Sequence, residues 1–237
     1  MAKKKKRKKR ATIRVVKRKK TVKRKKKKKK KKPISYPPQI TLATDKNNSY
    51  YNVNKEYTKE YYGKRMDFKN KVYSAMGKIF EDILKPRNVI DVGCGHGILM
   101  DGFSCPCVGI EASDEGVRQA KERGYRTYQH DLRFPISLGR IFDVAISIEV
   151  AEHLEEKYAN IFIDNLISLS DRILITASPQ KEKYHYNPQP KNYWVKRFEA
   201  KKFLLNKTTN IIVDRMKREI PPVRDYLYKN LMYFEKY

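Results

Sequence analysis

The chain has 237 residues, 40% of them hydrophobic, which suffices for one sizeable core and not for two. Its formal charge of +29 is concentrated at one end: residues 1–32 hold 23 Lys or Arg and no acid, so residues 33–237 keep 32 basic against 26 acidic residues, a net of +6. Three cysteines, no apolar run of membrane-span length and no apolar stretch behind the Lys-rich start argue against a disulfide scaffold, a transmembrane protein and a secretory leader, and for an intracellular, cytoplasmic or nuclear protein.

Residues 1–32 are low in complexity and self-repelling, and are expected to be a disordered polybasic tail. Such a tail binds polyanions, nucleic acid or anionic glycan, through counterion release and without sequence readout. Lys3 to Arg10 also resemble a nuclear-localisation cluster. Residues 33–58, with Pro33, Pro37 and Pro38, read as a linker, and 59–237 as one domain. Tyr62, Met66, Val72, Met76, Ile79, Phe80 and Leu84 recur at threes and fours, which predicts a helix over 59–84 that stops before Pro86.

At Val89 the grammar changes to Val-Ile-Asp-Val-Gly-Cys-Gly-His-Gly. A β-branched run ends in an acid and three glycines follow at alternate positions, as when a buried parallel strand breaks into a tight turn and a helix. Gly93, Gly95 and Gly97 allow positive φ and close approach of a ligand to the backbone. Asp91 disfavours an anion there and suits the ammonium and sulfonium of S-adenosylmethionine. The spacing is neither the dinucleotide fingerprint nor a P-loop.

Further strands are expected near 108–110, 127–129, 142–148, 172–176 and 231–234, and helices over 98–103, 115–123, 158–169 and 192–203. The alternation predicts an α/β fold, a mostly parallel sheet covered on both faces, with its ligand crevice beyond the strand ends at Asp91, Glu111, Asp131 and Ser147 to Glu149.

Together these residues resemble the class I S-adenosylmethionine-dependent methyltransferases, over roughly residues 57–237. The resemblance implies a Rossmann-like sheet of about seven strands with helices on both faces. It also implies a cofactor pocket made by Asp91, Gly93, Cys94, Gly95, Gly97, Glu111, Ala112, Asp131, Leu132 and Ile148, with Glu111 on the ribose hydroxyls and Asp131-Leu132 at the adenine. His96 and His130 are expected to line the pocket or shape turns.

A second constellation is Glu149-Val-Ala-Glu152-His153, at i, i+3 and i+4, with His185 beyond the fifth strand. It is similar to the Glu-x-x-Glu-His plus distal His arrangement of the small-RNA 3′-terminal 2′-O-methyltransferases and the ubiquinone-pathway O-methyltransferases. That similarity implies a divalent site, Mg²⁺ or Mn²⁺, on Glu149, Glu152, His153 and His185. Without a metal, His153 and His185 are the candidate catalytic bases. The bland alternatives are a turn-shaping Glu-His pair and packing of His185 on Trp194. The entry tyrosines, Tyr50, Tyr51, Tyr57, Tyr61 and Tyr62, could stack on bases or sugars, or simply pack on the sheet.

Ser147-Ile148-Glu149-Val150 departs from the Asn/Asp-Pro-Pro-Tyr/Phe motif of amino-methylating nucleic-acid enzymes, which favours oxygen as acceptor. The first reading is O-methylation of a hydroxyl on a glycan or small molecule. The second is metal-assisted RNA 2′-O-methylation, and the third a catalytically degenerate polyanion-binding protein. Deleting residues 1–32 should leave melting temperature and cofactor affinity unchanged while polyanion binding falls and loses most of its salt dependence. Thermal melts and salt-titrated binding to a homopolymeric RNA check this.

Overall fold

A computed structural model of the protein describes residues 50–63, 66–136, 138–139, 142–220 and 225–237. The tail at 1–32 and most of the expected linker lie outside the described residues. Seven strands form one sheet: β1 (Val89–Val92), β2 (Cys107–Glu111), β3 (Arg126–Gln129), β4 (Val144–Ser147), β5 (Arg172–Ile175), β6 (Phe203–Leu205) and β7 (Met232–Lys236). Their order is β3-β2-β1-β4-β5-β7-β6. The first five pair in parallel, and β7 runs antiparallel to both β5 and β6. This is the expected α/β architecture.

The central strands are mostly apolar because both their faces are covered, with Asp91 and Ser147 the polar exceptions near their carboxyl ends. All four residues of β1 and of β4 are buried. One face packs on α5 (Ala159–Leu169) and α6 (Lys191–Ala200) through Phe162, Leu166, Trp194 and Phe198. The other packs on α3 (Met66–Leu84), α7 (Thr208–Glu219) and α8 (Asp225–Asn230) through Met76, Phe80, Ile212 and Leu227. The helix α4 (Asp114–Glu122) follows β2, with Ser113 as its N-cap accepting from the Gly116 amide.

Within the expected 59–84 helix the described residues form α2 (Lys59–Gly63) and α3, residues 64–65 lying outside them, and α1 (Tyr50–Glu56) is helical within the stretch expected to be linker. In place of a helix over 98–103 there is a single 3₁₀ turn at Leu99–Gly102. The expected 192–203 helix ends at Ala200. Lys202 takes a left-handed φ of 64°, and Phe203 opens β6, a strand with no expectation attached to it.

Strand order reverses around β1, so β2 and β4 leave it on opposite sides and a crevice opens beyond their carboxyl ends. Its floor depends on α3 lying close against the 3₁₀ turn. A Cβ on Gly77 would collide with the Leu99 carbonyl oxygen, and one on Gly102 with the Ser74 carbonyl. Both obstacles are backbone and cannot swing aside. Gly77→Ala and Gly102→Ala should each lower stability by about 1–3 kcal/mol, read in denaturant melts, by forcing the helix off the turn.

Candidate functional site: a glycine-lipped cavity with an acidic wall

Beyond the strand ends lies a cavity of about 330 Å³, within the range of small-molecule sites. The turn after β1 forms one lip. The Gly93 and Cys94 amides both donate to the Ile110 carbonyl, at 2.8 and 2.9 Å, which folds the turn back onto β2. Gly93, Gly95 and Gly97 take φ of 80°, 52° and 83°, so the alternate glycines meet a real backbone requirement. A Cβ on Gly93 would also run into the Val150 side chain.

Two carboxylates stand behind this lip. Glu111 accepts from the Gly95 amide with Oε2 and from the Ser113 amide with Oε1, each at 2.8 Å. Burial nevertheless raises its pKa above the usual carboxylate range. Asp91, 3% exposed, is pushed up to about 8, chiefly by burial and then by the charge of Glu111. A cation entering beside two buried acids would favour the ionised form of both. Cys94 is a filler: it sits against Gly109, and burial pushes its thiol pKa well up.

Asp91, Gly93, Cys94, Gly95, Glu111, Ala112, Asp131, Leu132 and Ile148 all line the cavity, as does His96, whereas Gly97 and His130 do not. The Asp131 carboxylate is taken up by Arg133, whose Nη2 lies 2.8 Å away, so its charge is answered within the chain. His130 is buried and its ring Nε2 meets the Phe134 carbonyl at 3.1 Å.

The second constellation comes together only in part. One ligand atom each from Glu152, His153 and His185 lie within 4.8 Å of one another. Glu149 stands outside that group: it takes a left-handed φ of 58°, and its Oε1 accepts from the Thr176 hydroxyl at 2.8 Å. The 3₁₀ turn begins only at Ala151, so helical i, i+3 spacing does not apply across 149–153. Glu149 and His153 line the cavity, and Glu152 and His185 are not part of its lining.

The loop after β5 sets both imidazoles. His153 Nδ1 meets the Tyr184 carbonyl at 3.0 Å, and His185 Nδ1 meets the Gln180 carbonyl at 2.8 Å. A carbonyl only accepts, so Nδ1 carries the proton in each ring and Nε2 is left with a lone pair. Burial lowers the His153 pKa to about 4, outweighing the Tyr184 carbonyl, which raises it. Glu152 is fully buried, and its own amide and that of Ser178 are nearby without reaching hydrogen-bond geometry with the carboxylate. Burial and the charge of Glu149 push its pKa well above the usual range. His185 does not appear among the ring partners of Trp194, which packs on Phe162 and Tyr193, but stands edge-on to His153 at 4.9 Å.

Residues 64–176 match the family model of a methyltransferase domain. With seven strands in this order and the glycine turn after β1, that match decides the assignment. The chain carries a class I methyltransferase domain. Among solved structures, the magnesium protoporphyrin IX methyltransferase of Synechocystis PCC 6803 with bound S-adenosylhomocysteine is similar at 17% identity and a TM-score of 0.52, covering 81% of this chain and 96% of that one. The methyltransferase domain of a bacterial CtHen1 gives 18% identity and 0.51 over 72% and 99%. The plantazolicin methyltransferase BpumL with S-adenosylhomocysteine gives 14% and 0.56 over 79% and 93%. At these identities the likeness is one of fold. The curated proteins give no match.

Sequence reasoning left out one wall of the methyltransferase cavity or gave it the blander role. Tyr57, Tyr61 and Tyr62, on and beside α2, line the cavity, with Glu56, Arg133, Glu155 and Tyr186. The signal was the density of tyrosines, which packing alone explains equally well. Tyr62 is buried, its hydroxyl 3.1 Å from Ser113 Oγ.

Asp91 gives a pH-dependent outcome. Its folded pKa, about 8, lies above the unfolded value, so its contribution is most favourable below the unfolded pKa and is lost as pH rises through 8. In cofactor-free protein, Asp91→Asn should therefore be more stable than the parent at pH 9 by about 1 kcal/mol or more, and nearly equal at pH 4. Melting curves across that range check the sign.

Proposed function

We propose that this domain moves the methyl group of S-adenosylmethionine to a hydroxyl oxygen of a glycan or small molecule. The observation that carries the reading is His153: it lines the same cavity as Asp91 and Glu111, with its Nδ1–H held by a carbonyl and its Nε2 lone pair unspent. In the proposed pose the Asp91–Glu111 wall takes the cofactor's positive groups and ribose hydroxyls, beside the glycine lip. The acceptor oxygen attacks the methyl carbon in line with the C–S bond, whose electron pair returns to sulfur. The hydroxyl proton passes to His153 Nε2. Such a transfer depends on positioning and on one proton acceptor.

A second reading, metal-assisted 2′-O-methylation of RNA, is favoured by Glu152. A fully buried carboxylate without hydrogen-bond partners, grouped with two imidazoles that offer lone pairs, has the donor chemistry of a divalent-cation site. Glu152, His153 and His185 would hold the ion, with imidazole favouring Mn²⁺ over Mg²⁺. A bound ion would lower the pKa of an acceptor hydroxyl.

Glu111→Ala should weaken S-adenosylmethionine binding by about 1.5–3 kcal/mol in calorimetry, through loss of a buried acceptor. His153→Ala should lower kcat by about 10²–10⁴-fold with cofactor affinity retained. In metal-free protein the rate should rise with pH through about 4, where His153 loses its proton, and be flat near neutrality. Activity abolished by chelation and restored by Mn²⁺ would instead establish the metal-assisted reading.

A further inference from the structure

The tyrosine wall has a direction. Tyr61 is 39% exposed at the cavity mouth, its ring edge-on to Tyr57 at 4.9 Å, and Tyr57 stands edge-on to His153 at 6.3 Å. On the opposite chain segment Tyr186 is 53% exposed, and its hydroxyl donates to Glu56 Oε1 at 2.8 Å. Large rings left in water at the rim of a functional cavity mark a recognition surface. These rings lead from solvent to the His153 imidazole.

The charges between the rings select the ligand. Glu56, Glu149 and Glu155 line this part of the cavity. Among the described residues, the cation that lines the cavity, Arg133, is held by Asp131. Lys183 lies against the Tyr184 ring, 4.7 Å from its centre, and is not part of the lining. Sites for single-stranded nucleic acid combine stacking rings with a basic groove that follows the phosphates. Here the rings come with carboxylates, which repel phosphodiesters and accept hydrogen bonds from hydroxyls.

We propose that Tyr57, Tyr61 and Tyr186, with Glu56 and Glu155, form an acceptor subsite for a neutral sugar ring. The apolar C–H face of a pyranose lies flat on a tyrosine while its edge hydroxyls reach the carboxylates. A ring on Tyr57 brings a hydroxyl toward His153. The subsite rests on the hydroxyl-methylation reading and narrows its acceptor to carbohydrate.

The test uses the full chain, methyl-labelled S-adenosylmethionine and two acceptor pools: neutral tagged oligosaccharides of mixed hexose and deoxyhexose composition, and a mixed-sequence RNA oligonucleotide. Label is expected in the saccharides. Tyr61→Ala and Tyr186→Ala, both at exposed positions where folding is insensitive, should each raise KM for the labelled saccharide about tenfold. Their kcat and cofactor affinity should stay within about twofold. Tyr186→Phe, which keeps the ring and loses the bond to Glu56, should raise KM less than Tyr186→Ala does. Label in RNA and not in saccharide, or a saccharide KM unmoved by both alanine substitutions, overturns the subsite and leaves hydroxyl methylation standing. Label in neither pool, with cofactor still bound, overturns the subsite and returns the acceptor to a small-molecule hydroxyl.

Discussion

The pocket of this methyltransferase domain depends on one carboxylate. Glu111 closes β2, and its two oxygens hold the amides of Gly95 and Ser113, so the turn after β1 and the start of α4 are fixed to the same side chain. Ser113 in turn caps α4 and meets the Tyr62 hydroxyl, which brings α2 over the turn. Glycine supplies the freedom to make such a turn, and freedom alone does not choose a conformation. The carboxylate chooses it. The cost is a second acid, Asp91, in the same dry wall, and both are held above their ordinary pKa until something positive enters.

The reactive side is arranged by a different device. His153 and His185 come from segments far apart in the chain, and each has its proton fixed by a carbonyl of the loop after β5. Tyr184 takes a left-handed φ of 72° there, unusual for a bulky residue and a form of stored strain found at functional sites. The same loop sends Tyr186 to Glu56, tying α1 to the site.

The parallel half of the sheet was legible in the sequence for a physical reason. Doubly covered strands must be short, apolar and β-branched, and each ended in an acid or a turn that punctuation reveals. Most of the residues expected to bind the cofactor line the cavity because they sit at those strand ends. Phe203 was harder. Spaced five residues beyond Phe198, it passes for one more inward position of α6, and nothing local announces that Lys202 turns the chain left-handed. The helix α7 carries its inward face on Thr209, Ile212 and Met216, with charges between, a pattern too sparse to stand out. Glu149 was misplaced for a related reason: spacing assumes a helix, and its backbone leaves the helical region before the turn begins. The tyrosine wall depends on contacts between residue 56 and residue 186, which no local pattern encodes.

The position of β7 has a consequence for how the molecule comes into being. Residues 232–236 form an interior strand, flanked by β5 from residues 172–175 and by β6 from 203–205. Everything that precedes them in the chain can be made and partly collapsed while β5 still presents an open edge and β6 has nothing to pair with. Unpaired edges of that kind are where nascent chains misassociate. The sheet is therefore closed by the segment synthesised after all its other strands, and assembly of this domain is completed after translation of that segment rather than built up behind the ribosome strand by strand.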